Sequence, residues 1–317
     1  MRKKMEDIKT LDTQECFVDD YKNPQGKYFW SNYKTLNIDD IAKNEMQIYY
    51  NYYNKKYQNE KSLPDPDYEC KRLYEFHGVL WNRQCENNPN IPSVNICEQS
   101  IWLKLNNENI TLKSDSFVSI GWHYKKLQDV INKAKEKLDE ESIDKEIKLI
   151  SPELKERRQY DESFSLWKKF IWLYLQKSNT IGGFIVFPSH VNSINQMRGT
   201  KAEISDRFDL TLECIRRAYK QNEFIRNSNN PLFGINDQDK EFFNMFGSFE
   251  NYIDFFFLQD WVDDNYKVKN LLNNEPLDDY SFSESNPLPT ETDEWWTFYK
   301  NLMDRLDKRN TRIKLSL

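Results

Sequence analysis

The residues best placed to do chemistry gather around one polar stretch. Arg198, Arg207, Arg216 and Arg217 flank a loop and the helix that follows it, with Asn195 and Gln196 inside the loop. Guanidinium groups make forked hydrogen bonds to phosphate or carboxylate, so such a cluster suits an anionic ligand. Asp206, Asp209 and Glu213 are interleaved with the arginines and could orient groups or act as a base. They could equally hold the arginines as structural ion pairs, the commoner fate of such networks. Both readings stay open. Arg198 and Arg207 are the sharper ligand candidates and Arg217 a third, because a loop feeding a helix N-terminus brings free N–H donors to an anion.

Histidine is rare, with three in 317 residues. His77 lies on an apolar face with Leu73, Phe76 and Leu80, where a satisfied core histidine is commoner than a catalyst. It remains a candidate, and so does His190, just after an apolar run. No pair of histidines or cysteines stands at ligand spacing, HExxH and CxxC are absent, and no metal site is expected. Cys16, Cys70, Cys85, Cys97 and Cys214 read as reduced thiols. Eight glycines form neither GxGxxG nor GxxxxGK[ST], so a Gly-rich phosphate loop is excluded and no cofactor is named.

These residues need elements to position them. Ile181–Phe187, opened by Gly182-Gly183 and closed by Pro188, reads as a buried interior strand. Ser189 to Ser205 has no apolar period and reads as a long loop. Ser205 or Asp206 can cap a helix over Asp206–Lys220, with Phe208, Leu212, Ile215 and Tyr219 on its buried face. Asp209, Glu213, Arg216, Arg217 and Lys220 fall off that face.

Residues 1–62 read as a polar, tyrosine-rich appendage, with a helix at 38–57 as one option. The main domain is expected over 63–317. A helix through Leu73–Trp81 comes first, broken by Asn87–Pro92. A hairpin of Ile101–Leu105 and Ile110–Leu112 turns over Asn106–Asn109. Phe117–Ile120 is a third strand, entered through Ser114–Ser116. Helices follow at 125–138 and 164–175, then at Lys240–Phe246, Phe249–Val262 and Glu291–Lys308. Phe249–Val262 is apolar nearly all round, so Asp254 and Asp260 should be buried and paired with arginine or other donors. The sum is an α+β fold: a small, mostly antiparallel sheet packed by several helices.

The formal net charge of −6 argues against a general nucleic-acid coat. No signal peptide or bilayer-spanning run is legible, which places the chain in the cytoplasm, off the membrane. The tyrosine-rich segment is a possible surface for a protein partner.

PDPDYECKRLYEFHGVLWNRQ, the Ser114–Ser116 SDS, TIGGFIVFP, INQMRG, DRFDLTLECIRR, YIDFFFLQDWV and RNTRI together resemble a bacterial family of unknown function, in that family's order across residues 64–313. The chain departs from it at NRQCENNPN, where the family has a longer Pro/Gly turn, and by extra residues around 139–160. The resemblance implies a shared fold and site and no activity. The residues support two functions. One is an enzyme, a transferase or hydrolase, on a nucleotide-like or other phosphate-bearing substrate. The other is a non-enzymatic ligand-sensing or protein-interaction module, with stress or phage defence as an example.

Overall fold

The computed structural model describes residues 71–97, 100–117, 136, 141–142, 145, 178, 180–189, 207–220, 237–278 and 292–316. The N-terminal segment, the helices expected at 38–57 and 164–175, all but residue 136 of the helix expected at 125–138, and residues 190–206 of the expected loop segment lie outside them. The described residues form an α+β arrangement of five α-helices and a four-stranded antiparallel sheet, order β1-β2-β3-β4.

Helix α1, Lys71–Asn87, buries Leu73, Tyr74, Phe76, His77, Leu80 and Trp81 at helical spacing. Its last turns hold the next segment. Trp81 Nε1 donates to the Pro92 carbonyl at 2.9 Å, and the Asn82 amide brackets Val94, donating to its carbonyl at 3.1 Å and accepting from its N–H at 2.8 Å. That clasp starts β1, Val94–Cys97, a strand the sequence reading missed.

Strands β2, Ser100–Leu105, and β3, Glu108–Ser116, join through Asn106 and Asn107 alone, both at positive φ (50° and 68°). Asparagine tolerates that region, and a two-residue turn of this hand matches the twist of the strands. Glu108 and Asn109, expected in the turn, belong to the ladder instead, opposite Leu105 and Lys104. Ser114–Ser116 also departs from expectation: it is the end of β3, not the start of another strand. It pairs with β4, Phe184–Pro188, in the register Ser114↔Val186 and Asp115↔Ile185.

All five β4 residues are buried. Among the described strands it nevertheless ends the sheet order instead of lying in its interior. Burial on both faces gave it the composition of a central strand. Before it, Ile181–Gly183 is a short 3₁₀ turn rather than strand.

Helix α2, Phe208–Lys220, buries its expected apolar face and most of the other as well: Asp209, Thr211, Glu213 and Arg216 are buried. Helices α3, Asp237–Asn244, and α4, Phe249–Phe255, are separated by Gly247 at φ 76° and Ser248, whose hydroxyl caps α4 by accepting from Asn251 N–H at 3.2 Å. The expected long helix stops at Phe255. Phe257 takes φ 57° and a 3₁₀ turn, Gln259–Trp261, follows. Asp254 sits on the exposed face of α4 with Glu250 and Asn251 and accepts from Gln259 Nε2 at 2.9 Å, so its expected burial fails. Asp260 is partly buried and does take an arginine, accepting from Arg312 at 2.6 and 3.2 Å.

Helix α5, Thr292–Ser316, runs past the expected end at Lys308. One core joins the elements: Trp81 meets Phe242, Phe246, Phe255 and Phe256, while Phe117 stacks on Phe208 at 3.7 Å with Trp261 edge-on to both.

The turn before β4 is the tightest point. A Cβ on Gly183 would lie 2.1 Å from the Ser178 carbonyl oxygen, a backbone atom that cannot rotate away. Gly183→Ala should lower the denaturant midpoint by an amount equivalent to about 1–3 kcal/mol or more. An unchanged midpoint would show that the turn relaxes freely.

Candidate functional site

Three polar clusters are buried among these elements. The first starts at Arg207, just before α2. Arg207 and Asp209 are fully buried and paired, Nε donating to Oδ1 at 3.1 Å and Nη2 to Oδ2. Arg207 Nη2 also donates to Asn270 Oδ1 at 3.1 Å, and Asp209 Oδ2 accepts from the Leu271 N–H at 3.0 Å. Both carboxylate oxygens are therefore engaged, and α2 is fixed to the irregular segment 263–278.

The second cluster centres on Glu213, which is fully buried. Its oxygens accept from Arg216 at 2.7 and 2.9 Å and from Arg217 at 2.6 Å. Arg217 continues to the carbonyls of Leu277 and Asp278, and Arg216 to the Asp278 carboxylate at 2.7 Å. Lys267 pairs with that same carboxylate at 2.5 Å, which holds it below the ordinary aspartate range. Tyr219 belongs to neither cluster; its hydroxyl donates to the Phe243 carbonyl at 2.5 Å.

The third cluster comes from α5. Arg305 donates to the carbonyls of Lys269 and Asn270 at 2.9 and 3.1 Å and to Asn274 Oδ1 at 2.7 Å. Arg309 donates from Nε to the Phe256 carbonyl at 2.9 Å, and from Nη1 to those of Ile181, Gly182 and Phe184 at 3.1, 2.9 and 2.6 Å. Neither pairs with a carboxylate among the described residues. Burial accordingly pulls them down, Arg305 to about 10 and Arg309 to about 9. Both remain cations at neutral pH. Asn310 completes the group, accepting from Gly182 N–H at 2.7 Å and donating to Thr180 Oγ1 at 2.6 Å.

His77 stands apart from the α2 arginines. It is buried, with Nε2 3.2 Å from Ser114 Oγ, which joins α1 to the SDS end of β3. Burial, helped by the Arg309 charge, pulls its imidazole down to about 3, so it is neutral at physiological pH.

The structure thus places Asp209, Glu213 and Arg217 on α2 and Arg207 just before it, with His77 on α1. Asn195, Gln196, Arg198, Asp206 and His190 lie outside the described residues. Arg305 and Arg309 were passed over as candidates. Their signal was present in the sequence: with Leu302, Leu306 and Ile313 they occupy one apolar stripe of α5, where an arginine must find buried acceptors. Among the described residues no three His, Cys, Asp or Glu side chains converge as metal ligands, and no helix is long and apolar enough to cross a membrane.

An α+β chain with carbonyl-bound buried arginines is the class that fold and site define. The model of a family described as "Family of unknown function (DUF6994)" matches residues 148–313, just over half of the chain, and the chain belongs to that family. The match includes Arg207, Asp209, Tyr252, Arg305 and Arg309; His77 and Ser114 precede it. No curated protein and no solved structure matches.

The His77 value carries a pH dependence. Its pKa is about 3 folded against 6.5 free, so below pH 6.5 the unfolded chain binds the extra proton. The stability His77 contributes is complete above pH 6.5 and falls by up to about 1.4 kcal/mol per pH unit as pH drops toward 3. Urea titrations at pH 7.0, 6.0 and 5.0 on wild type and His77→Gln should show a steeper decline in wild type. Equal slopes would show that His77 is not held neutral by the fold.

Proposed function

We propose that this chain is a binding protein for a phosphate-bearing, nucleotide-like ligand. Asn195, Gln196 and Arg198 would contact the anion, and the Arg207–Asp209 cluster would be the fixed base from which they are presented. The observation that carries this reading is the surplus of buried positive charge. Arg305 and Arg309 are desolvated and form no ion pair with a carboxylate among the described residues, while Arg207 and Asp209 pair with one another. A chain that is acidic overall yet buries more arginine than carboxylate among its described residues favours an anionic ligand beside α2 and α5. The engaged oxygens of Asp209 and Glu213 favour binding over acid–base chemistry by α2.

An enzyme acting on the same class of ligand is the second reading. The observation behind it is the neutral His77 imidazole 3.2 Å from the Ser114 hydroxyl, the spacing of a base and a nucleophile. Asp206, Asp209 and Glu213 would be its other candidate groups.

Thermal unfolding with inorganic phosphate, a nucleoside monophosphate and a nucleoside triphosphate tests the binding claim. A ligand at a hundredfold its Kd should stabilise wild type by about 2.7 kcal/mol. Arg198→Ala should keep ligand-free stability and lose that gain. Arg207→Ala should instead lose about 3–5 kcal/mol of ligand-free stability, because Asp209 would remain buried and unpaired. No stabilisation of wild type by any of the three at millimolar concentration would sink the proposal. Chromatography of the incubated nucleotides separates the readings, since only the enzyme converts them.

A further inference from the structure

The sheet has two unlike faces. Alternation along β2 and β3 sends Ile101, Leu103, Ile110 and Leu112 into the core and Trp102, Lys104, Asn109, Thr111 and Lys113 to the other side. Asn95 on β1 and Thr111 on β3 stand directly opposite Trp102. Over β4 this second face is covered, because Ile185 and Phe187, opposite Asp115 and Lys113, are buried. Over β1 to β3 it is open: Asn95, Trp102, Lys104 and Asn109 are exposed. Trp102 is the one aromatic side chain among the described residues left exposed, at 41%.

The indole is held in place. Trp102 Nε1 donates to Ser100 Oγ at 2.9 Å, two residues back on the same face, which pins the ring toward Ser100 while leaving much of it to solvent. Asn95 and Thr111 flank it, with Cβ atoms about 5 Å from that of Trp102. The side chains of Asn95, Thr111 and Lys104 make no hydrogen bond or ion pair among the described residues. An amide, a hydroxyl and an ammonium are thus available around one displayed ring. Lys113 adds a second cation, its Nζ 5.6 Å from the Tyr74 ring centroid. The carboxylate on this face among the described residues, Asp115, is buried at the β4 side. In a chain with 51 acidic residues against 45 basic ones, a face with lysines and no exposed described carboxylate is complementary to a polyanion.

We propose that the open face of β1 to β3 binds single-stranded nucleic acid: a base stacks on Trp102, Asn95 and Thr111 meet the base edges, and Lys104 and Lys113 meet the phosphates. Stacking on an aromatic side chain tolerates any base, because every base has a π-face, and cations beside the ring track the backbone. A duplex does not fit, because its bases are stacked on one another and present only their edges. A neutral oligosaccharide also stacks on an indole, but it leaves the lysines unmatched and finds no exposed described carboxylate to accept from its hydroxyls. The net charge of −6 limits the site to a short stretch of strand rather than a coat. The proposal does not rest on the phosphate-ligand reading. It uses none of Asn195, Gln196, Arg198 or Arg207, and Arg198→Ala should leave it intact.

The test is fluorescence anisotropy of labelled single strands of about 12 nucleotides, DNA and RNA, titrated with the full chain. At least one should bind at low salt, and its annealed duplex should bind about tenfold more weakly. Two phosphate contacts set a slope of about −1.4 for log K against log salt over about 50–200 mM, and Lys104→Ala should flatten it by about 0.7. Trp102→Ala should raise Kd about 5- to 150-fold, the loss of one stacked base, while Trp102→Phe keeps a ring and should lose less. Both should keep the wild-type unfolding midpoint, because the side chain is exposed. A footprint on wild type is independent of any variant. The Cys97 thiol is exposed on the same face, opposite Ser100. Saturating oligonucleotide should slow its alkylation by iodoacetamide, read by peptide mass spectrometry. No anisotropy change with either strand at micromolar protein, equal affinity for the duplex, an unchanged Kd in Trp102→Ala, or Cys97 protection by maltohexaose and not by the oligonucleotide would each overturn the proposal.

Discussion

The Arg309 guanidinium is the constraint on which the rest of the described structure depends. It binds the carbonyls of Ile181, Gly182 and Phe184 with one nitrogen and that of Phe256 with another. Those carbonyls belong to the 3₁₀ turn and start of β4 and to the end of α4; that of Ile181 also accepts from the Phe184 N–H. Buried backbone acceptors need partners, and an arginine with five N–H donors can serve several at once. Lysine, with a compact ammonium on a flexible stem, could not hold the same fork. The position of β4 therefore follows from a side chain on the last helix, 125 residues away in sequence from Phe184.

The same device recurs along α5. Asn301 donates to the Leu271 carbonyl at 2.9 Å, Arg305 holds those of Lys269 and Asn270, and Asn310 takes the Gly182 N–H. Helix α2 reaches the same irregular segment from another direction, through Asp209 to the Leu271 N–H and Arg217 to the Leu277 and Asp278 carbonyls. Side chains from two helices thus anchor residues 263–278, adding to the segment's own backbone bridges Val262↔Val268 and Lys269↔Pro276. One functional consequence concerns residues 190–206, which connect β4 to Arg207. The described elements on either side of it, β4 and Arg207, are both held by buried arginine contacts.

Much of this architecture was legible in the sequence, and the misses share a cause. Periodicity located α1, α2 and α5 because Leu73, Phe76 and Leu80, or Leu302 and Leu306, recur at helical spacing beside polar neighbours. Two-residue alternation located β2 and β3. Periodicity treats every charge as outward-facing, so Asp209, Glu213 and Arg216 were placed on the wrong side of α2, and Arg305 and Arg309 were overlooked. Asp209, Arg216, Arg305 and Arg309 all bond to residues 31 or more positions distant, such as Leu271 for Asp209, Asn274 for Arg305 and Phe184 for Arg309, which no local pattern reveals. The α4 break escaped for a different reason. The run Phe255-Phe256-Phe257-Leu258 is uniformly apolar, and nothing in it announces the positive φ at Phe257. Strand β1 is four residues long with three exposed, too short for its pattern to register.

The central claim is that Arg309 fixes β4 from α5. Native-state amide hydrogen exchange on Arg309→Lys tests it most directly, because the substitution keeps the charge and removes the fork. The account predicts a selective loss of protection at Gly183, at the β4 amides Ile185–Phe187 and at Phe117, whose N–H donates to the Gly183 carbonyl at 2.7 Å. Protection in the β2–β3 hairpin around Leu103 and Ile110 should fall far less. Wild-type protection across β4 and Phe117 in the lysine variant would contradict the claim.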